Sequence, residues 1–165
     1  MLEIGQVFLY GIHGVCRVSG IAEQKVDRKM VQYYVLTPLE RASACFYVPV
    51  HNEAAVSKLR PLLTREELEA LMASAEVNGD CWIADENRRK LRYRELIGSG
   101  DRGGLVGMVR TLYRHKEQQL ASGRKFHVCD ENFLRDAEKM LSAEFSLVLG
   151  IPADKIGEYL LQNRD

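Results

Sequence analysis

The densest group of charged side chains is a cationic run over residues 88–94. Five of these seven residues are basic, namely Arg88, Arg89, Lys90, Arg92 and Arg94. A clustered set of cations neutralises phosphates and releases counterions, so the run predicts contact with nucleic acid. Further cations follow at Arg102, Arg110, Arg114, His115, Lys116, Arg124 and Lys125. The alternative is a solvated helix face whose cations pair with the nearby Glu86 and Glu95.

The net charge limits how such a patch would work. Lys and Arg total 23, Asp and Glu also total 23, and the formal net charge is zero. A basic field over the whole chain is therefore excluded, and any nucleic-acid contact must come from a local surface.

Trp82, the single tryptophan, lies just before the cationic run. One interpretation is a plug between helices in the core. The other is an apolar wedge against a distorted base step, flanked by phosphate contacts. Both interpretations remain open at the level of sequence.

Residues that could support catalysis or metal binding are few. His13, Cys16 and His51 are the candidates, but no Cys-x-x-Cys pair or nucleophile, phosphate-loop or zinc motif accompanies them. We therefore expect no enzyme activity, no catalytic residue, no metal and no cofactor. The start of the chain has no signal-peptide pattern, and we expect a soluble, cytoplasmic protein with reduced thiols.

The sequence pattern changes near residue 63. The first part alternates short β-prone runs with polar turns, which is typical of a small SH3-like barrel of five strands. The predicted strands are Val7–Tyr10, Val15–Gln24, Val31–Leu36, Cys45–Val48 and Leu59–Pro61.

The second part carries helical periodicity and predicts an all-α domain of about five helices. Thr64 and Glu67 fit a capping box, and Asn78-Gly79-Asp80 would end that helix. Later helices are expected from Asp85 to Ile97, from Asp101 to Ala121, from Asp130 to Gly150 and from Pro152 to Leu161. Leu91 and Ile97 are expected on the buried side of the first of these, which carries the cationic run. The fold class is therefore β followed by α, in two domains over residues 1–63 and 64–165.

The order of short motifs resembles the CarD/CdnL family of bacterial transcription regulators. The opening Gly5…Val7…Tyr10-Gly11-Ile12-His13-Gly14…Val18 is similar to the family pattern G-D-x-V-V-Y-P-x-H-G-x-G-x-V. Further matches are Tyr33-Tyr34-Val35-Leu36, Val48-Pro49, Leu59-Arg60-Pro61, Ser99-Gly100-Asp101 and Val109-Arg110-Thr111-Leu112, so the resemblance covers almost the whole chain.

The resemblance implies a Tudor-like N-terminal domain that binds the RNA polymerase β subunit through a strand edge. Carried over by position, the polymerase-binding residues are Gln24, Ala44, Cys45, Phe46 and Tyr47. It also implies a helical domain that contacts promoter DNA near the upstream edge of the bubble. The expected DNA-binding residues are Trp82, Arg88, Arg89, Lys90, Arg92, Arg94, Arg110, Arg114, Arg124 and Lys125.

Some positions depart from the family pattern. Gln6, Gly11 and Cys16 replace the usual Asp, Pro and Gly, and Tyr47 stands where an arginine often precedes Val-Pro. The resemblance also implies a tryptophan that packs into the minor groove, and an ungapped count back from Ser99 places it at Glu86 rather than at Trp82. Either an insertion lets Trp82 keep this role, or this chain has lost the wedge.

The expected function is therefore regulation of transcription initiation through a change in open-complex stability, at the nucleoid. The alternatives are a polymerase-bound scaffold without DNA contact, and a metal sensor or enzyme using His13, Cys16 and His51. We expect a monomer, with a domain-swapped dimer through residues 62–66 as the alternative.

Overall fold

The computed structural model describes residues 1–74 and 82–162. The chain divides into two compact units, Met1–Leu62 and Leu63–Asp165. The N-terminal unit is a five-stranded antiparallel sheet in the order β4-β3-β2-β1-β5. Its strands are β1 (Val7–Tyr10), β2 (Val15–Val26), β3 (Lys29–Pro38), β4 (Phe46–Pro49) and β5 (Leu59–Pro61). All five predicted strands are confirmed, whereas closure of the sheet into a barrel stays a prediction because β4 and β5 lie at opposite ends of the order.

The β2–β3 hairpin is longer than predicted. Its two-residue turn consists of Asp27 and Arg28, with φ angles of 48° and 66°. Two positive φ values define a type I′ turn, whose twist matches that of the flanking strands. The pairing therefore continues to Val26 opposite Lys29, beyond the strand ends expected from composition.

Apolar side chains on one face of this sheet form the core of the N-terminal unit. The buried residues are Cys16, Val18, Tyr34, Leu36, Val48 and Leu59. A short helix α1 (Glu53–Val56), which the sequence did not predict, precedes β5, and Asn52 caps it by accepting the Ala55 N–H at 3.1 Å.

The second unit is helical, as predicted. The described helices are α2 (Arg65–Ala73), α3 (Glu86–Ser99), α4 (Arg102–Ala121), α5 (Val128–Leu149) and α6 (Ile156–Leu161), with a 3₁₀ turn at Ala153–Lys155 before α6. None of the described helices is long and apolar enough to span a membrane.

Most helix ends follow local sequence signals. The Thr64 hydroxyl accepts the Glu67 N–H at 3.1 Å, and the Glu67 carboxylate accepts the Thr64 N–H at 2.9 Å, which confirms the capping box. Gly100 and Gly150 end α3 and α5 with φ angles of 65° and 68°, a conformation that glycine adopts without steric cost.

Three helix ends differ from the prediction. Helix α2 ends at Ala73 with Ser74 as its C-cap, and the predicted stop at residues 78–80 lies outside the described residues. Asp101 occupies the N-cap of α4, but its side chain makes no capping hydrogen bond. Helix α5 begins at Val128 after His127, because Asp130 lies inside the helix and its carboxylate binds a buried arginine instead of capping the end.

The helices share one apolar core built from the predicted faces of α2, α4 and α5. Leu63 belongs to this unit, although we expected it to end the first domain. Its N–H donates to the buried Glu144 carboxylate at 3.0 Å, and the same carboxylate receives two hydrogen bonds from Arg102, at 2.6 and 2.7 Å. The first residue of the helical unit is thus fixed to α4 and α5.

Candidate functional site

Strand β4 lies at one end of the sheet and pairs only with β3 among the described strands. The Val50 N–H donates to the Gln32 carbonyl of the neighbouring chain segment at 3.0 Å. Since backbone groups alternate in direction along a strand, the N–H and C=O of Tyr47 point to the open edge. Pro49 contributes only a carbonyl there, so an added strand would find its amide donor at Tyr47.

Side chains near this edge are arranged on both faces of the sheet. The Tyr47 side chain is 50% exposed and meets the Tyr33 ring edge-on, at 6.3 Å between centroids. Phe46 points the other way and packs 4.2 Å from the His13 ring and 5.7 Å from the Tyr10 ring. The Phe46 side chain therefore lies on the opposite face of the sheet from Tyr47 and is packed against other rings of the same unit.

The remaining predicted polymerase residues surround the same strand or its face. Ala44 is half-buried and Cys45 exposed, both immediately before β4. Gln24 pairs with Val31 in the β2–β3 hairpin, and its parity places it on the same sheet face as Tyr47. We call the edge backbone and this face, with Tyr33, Val35 and Tyr47, the β4 edge surface.

The cationic run forms α3, and the structure divides its members between the core and solvent. Arg88, Arg92 and Arg94 are exposed. Lys90 binds Glu86 at 2.9 Å, and this hydrogen bond is the main cause of the lowered pKa of the Glu86 carboxyl and the raised pKa of the Lys90 ammonium. Lys90 is thus engaged within its own helix.

Arg89 is buried, and this corrects its prediction as a DNA contact. Its guanidinium binds the Asp130 carboxylate through two hydrogen bonds, at 2.9 and 3.1 Å, and donates to the Ile83 carbonyl at 3.1 Å. Arg89 is 4% exposed, and a guanidinium bound to a buried carboxylate in this way is not available to a phosphate. The pair joins α3 to the first turn of α5.

Trp82 is half-buried against the helical core. Its ring stacks on His115 at 3.5 Å between centroids with an interplanar angle of 16°, and the Arg89 guanidinium lies 4.4 Å from the ring centroid. The ring faces are therefore engaged inside the unit. This packing favours the plug between helices over the wedge.

Arg110 is also buried, contrary to its predicted DNA role. It is 1% exposed and donates to the carbonyls of Leu160 and Gln162, each at 2.8 Å. These carbonyls are at the end of α6, where no further helical turn satisfies them. Arg110 therefore anchors the last helix to α4.

The other predicted DNA-binding cations lie on or after α4. Arg114 is half-buried, whereas Arg124 and Lys125 are exposed in the loop that follows the helix. The structure thus brings Arg88, Arg92 and Arg94 together on one helix and leaves Arg124 and Lys125 on a separate loop.

Leu91 faces outward, although the sequence predicted it on the buried side of the helix. It is 59% exposed, while Arg89, Tyr93 and Leu96 form the buried side of α3. The spacing of residues 89, 93 and 96 at four and three positions is the signal that was available, but the charge of Arg89 obscured it.

Residues considered for metal or catalytic chemistry do not assemble into a centre. Burial raises the pKa of the Cys16 thiol to about 11, which keeps it protonated at neutral pH and therefore a poor nucleophile. His13 packs against aromatic rings. Within residues 1–74 and 82–162, no group of three or more His, Cys, Asp or Glu side chains is placed to hold a metal ion.

Comparison with known proteins finds a match to the N-terminal unit. A family model described as CarD-like/TRCF RID domain matches residues 2–61, which is nearly the whole N-terminal unit. No curated protein matches the chain.

Proposed function

We propose that the protein regulates transcription initiation, on the basis that residues 2–61 match the CarD-like/TRCF RID domain, a model of RNA polymerase-interacting domains. In this proposal the N-terminal unit binds the RNA polymerase β subunit, and the helical unit contacts promoter DNA near the upstream edge of the bubble. The DNA contact changes the stability of the open complex.

The observation that carries the polymerase contact is the open edge of β4. An extended segment of a partner can add as a sixth strand there, because backbone hydrogen bonds supply affinity and adjacent side chains supply specificity. Tyr47 offers both an amide and a carbonyl to that strand. Tyr33, Val35 and the exposed part of Tyr47 give the face beside it an apolar character.

Replacing Tyr47 tests this mode of docking. Tyr47→Pro removes the outward N–H without removing a ladder bond to β3, whereas Tyr47→Thr keeps the N–H and removes the ring. We expect Tyr47→Pro to abolish capture by the purified β subunit and Tyr47→Thr to weaken it by a smaller factor. Equal binding by the wild-type and Tyr47→Pro proteins, with unchanged thermal unfolding, would refute docking at this edge.

The DNA contact rests on the exposed arginines of α3. Neither Arg88 nor Arg94 has a carboxylate partner among the described residues, and the only such partner of Arg92 is Glu95 at 3.8 Å. Three such cations on a protein of zero net charge bind DNA weakly at physiological salt. Tethering to polymerase raises the DNA concentration that they encounter.

A weak contact of this kind is sufficient for regulation. A group that binds opened DNA better than closed DNA shifts the equilibrium by its difference in affinity. A difference of about 1–2 kcal/mol changes the ratio of open to closed complexes roughly five- to thirtyfold.

The lifetime of the open promoter complex separates this function from a scaffold that only binds polymerase. We expect the double variant Arg88→Gln/Arg92→Gln to lose the effect on the lifetime while retaining polymerase binding. Arg135→Gln, which removes an exposed arginine from α5, is the matched control. An unchanged lifetime in the double variant would favour the scaffold, and Arg89 is left intact because its loss would disturb the core.

A further inference from the structure

The β2–β3 hairpin carries a second open strand edge, on the side of β2 that faces away from β3. Strand β1 and the residues before it cover this side of β2 only as far as Val18, whose N–H donates to the Gln6 carbonyl at 2.8 Å. From Gly20 to Val26, β2 pairs only with β3 among the described residues. We call the free side of Gly20–Val26 the β2 arm edge.

Three residues direct their backbone groups to the β2 arm edge. Val26 and Lys29 flank the two-residue turn and exchange backbone hydrogen bonds, and backbone direction alternates along a strand. The N–H and C=O groups of Ile21, Glu23 and Lys25 therefore point away from β3. These groups have no hydrogen-bond partner in the part of the chain that the structure describes, so the edge can accept a further strand.

The charged side chains along this edge are self-complementary in one antiparallel register. When a twofold axis passes through Gln24, Glu23 lies opposite Lys25 of a second copy, and the same pair recurs on the other side of the axis. Both side chains are exposed, and a hydrogen bond of 3.1 Å from Gln32 holds the Glu23 carboxylate on their common face. Opposite charges directly across two strands stabilise the pairing, whereas like charges destabilise it.

Other registers of the same edge are less favourable. An axis through Glu23 places two carboxylates directly opposite each other, and an axis through Lys25 does the same for two ammonium groups. An axis through Ala22 leaves both kinds of charge without an opposite partner. The charges therefore favour one register, which closes on itself and blocks further strand addition at this edge.

The face of the arm that carries Gln24 supports the same register. There Ala22 lies opposite Val26 of the second copy, and Val26 is 41% exposed in the single chain. Because the two strands run antiparallel, Asp27 in the turn of each arm lies beside Ile21 of the other copy. The remaining strands of the two sheets then lie at opposite ends of the shared pair and do not collide.

From this pattern we infer that two copies of the chain pair through the β2 arm edge into a twofold-symmetric dimer with a continuous sheet. The inference goes beyond the proposed function, in which polymerase binds the β4 edge surface and DNA binds α3. The contact is short compared with the interfaces of stable dimers, so we expect a dissociation constant of roughly 0.1–1 mM. At micromolar concentration the chain is then a monomer.

Charge reversal at the edge tests the inference. Glu23→Lys and Lys25→Glu each place like charges across both pairs, and we expect each to weaken self-association at least roughly fivefold. The double variant Glu23→Lys/Lys25→Glu restores both pairs and should associate like the wild-type protein. Sedimentation equilibrium of the full chain at up to about 1 mM measures these constants.

Lys58→Glu is the matched control for net charge. It reverses an exposed lysine that lies before β5, and it gives the chain the same net charge as Lys25→Glu. We expect Lys58→Glu to associate like the wild-type protein, because the lysine is not part of the β2 arm edge. Equal weakening by both variants would show that net charge, rather than this edge, controls association, and would overturn the inference.

A thiol on the twofold axis provides a second measurement that detects a weak pair. Directly opposed residues that exchange no backbone hydrogen bonds have Cα atoms about 4.5 Å apart, which a disulfide can span. We expect Gln24→Cys under a mild oxidant to form a disulfide between the two introduced thiols, identified by peptide mass mapping. Lys29→Cys, on the neighbouring strand and away from the axis, should form no such disulfide.

Three further results would overturn the inference. A wild-type protein that stays monomeric at about 1 mM excludes the pair. Association that survives both single reversals, or that the double variant fails to restore, excludes the register. Loss of capture by the purified polymerase β subunit in Lys25→Glu would assign the β2 arm edge to polymerase instead of a second copy. The capture experiment with Tyr47→Pro decides the proposed polymerase contact independently.

Discussion

Arginines in this chain have two different roles, and burial distinguishes them. Arg89 and Arg110 are each almost fully buried and bind acceptors inside the helical unit, whereas Arg88, Arg92 and Arg94 reach solvent. A buried guanidinium is stable only when its donors are satisfied, and here Asp130 and backbone carbonyls satisfy them. The cationic run is therefore partly a structural feature of the helical core.

Arg110→Met isolates the structural role, because methionine keeps the apolar stem and removes the donors. The carbonyls of Leu160 and Gln162 would lose charged hydrogen bonds, and we expect the free energy of unfolding to fall by about 2–3 kcal/mol. Urea unfolding followed by circular dichroism of the full chain measures this change. Arg135→Met on the exposed side of α5 should change stability by no more than about 0.5 kcal/mol, and an equal loss in both variants would contradict the assignment.

Cysteine reactivity provides a second test at the level of single residues. Cys16 is fully buried and its pKa is raised to about 11 by loss of solvent, while Cys45 is exposed next to β4. Because the thiolate is the reactive form, iodoacetamide at pH 8 should modify Cys45 and spare Cys16 in the native protein. Peptide mass mapping measures both sites. Comparable modification of the two thiols before denaturation would show that Cys16 is not buried in solution.

The secondary-structure elements show which features the sequence predicted and which it did not. Local signals predicted the β1 and β5 strands, the Thr64 capping box and the glycine stops at Gly100 and Gly150. The predicted start of α5 at Asp130 was wrong, because the Asp130 carboxylate accepts hydrogen bonds from Arg89 instead of capping the helix. Capping preferences describe local sequence and do not include such a long-range pairing. The outward position of Leu91 was missed for the same reason, since Arg89 occupies the core position that an apolar residue normally fills.

The candidate site was predictable to a different extent in each unit. The family resemblance pointed to the stretch that contains Ala44, Cys45, Phe46 and Tyr47, and the structure places β4 (Phe46–Pro49) at the open end of the sheet. In the helical unit the residue types predicted a cationic surface, but only tertiary packing separates the buried Arg89 and Arg110 from the exposed Arg88, Arg92 and Arg94.

The type I′ turn of the β2–β3 hairpin determines how a substitution at Arg28 should change the free energy of unfolding. Arg28 has a φ of 66°, which is unfavourable for a residue with a Cβ atom and natural for glycine. Arg28→Gly completes the Asp-Gly sequence that type I′ turns prefer, and we expect it to raise the free energy of unfolding by about 0.5–1 kcal/mol. Lys29→Gly, at the neighbouring strand position, should lower it. Thermal unfolding of both variants checks the sign, and stabilisation by Lys29→Gly instead would contradict the turn assignment.

At the scale of the whole molecule, the zero net charge implies weak affinity for free DNA. An effect at a promoter then depends on the contact with polymerase as well as on the affinity for DNA. In the proposed function, the exposed arginines of α3, Arg88, Arg92 and Arg94, contact free duplex without help from the β4 edge surface, so Tyr47→Pro should leave that affinity unchanged. The same variant should lose its effect on open-complex lifetime, because without a tether the DNA contact is made at the bulk protein concentration. A flexible tether commonly supplies an effective concentration in the millimolar range, far above micromolar protein in solution.

Raising the concentration of Tyr47→Pro toward the millimolar range should therefore restore part of the lifetime effect, whereas Arg88→Gln/Arg92→Gln should remain inactive at any concentration. Lifetimes measured over a concentration series, with a competitor added to prevent re-formation of the complex, distinguish the two variants. If Tyr47→Pro acts like the wild-type protein at micromolar concentration, binding at the β4 edge surface is not what brings the helical unit to DNA. If neither variant recovers, the polymerase contact does more than tether and must itself change the promoter complex.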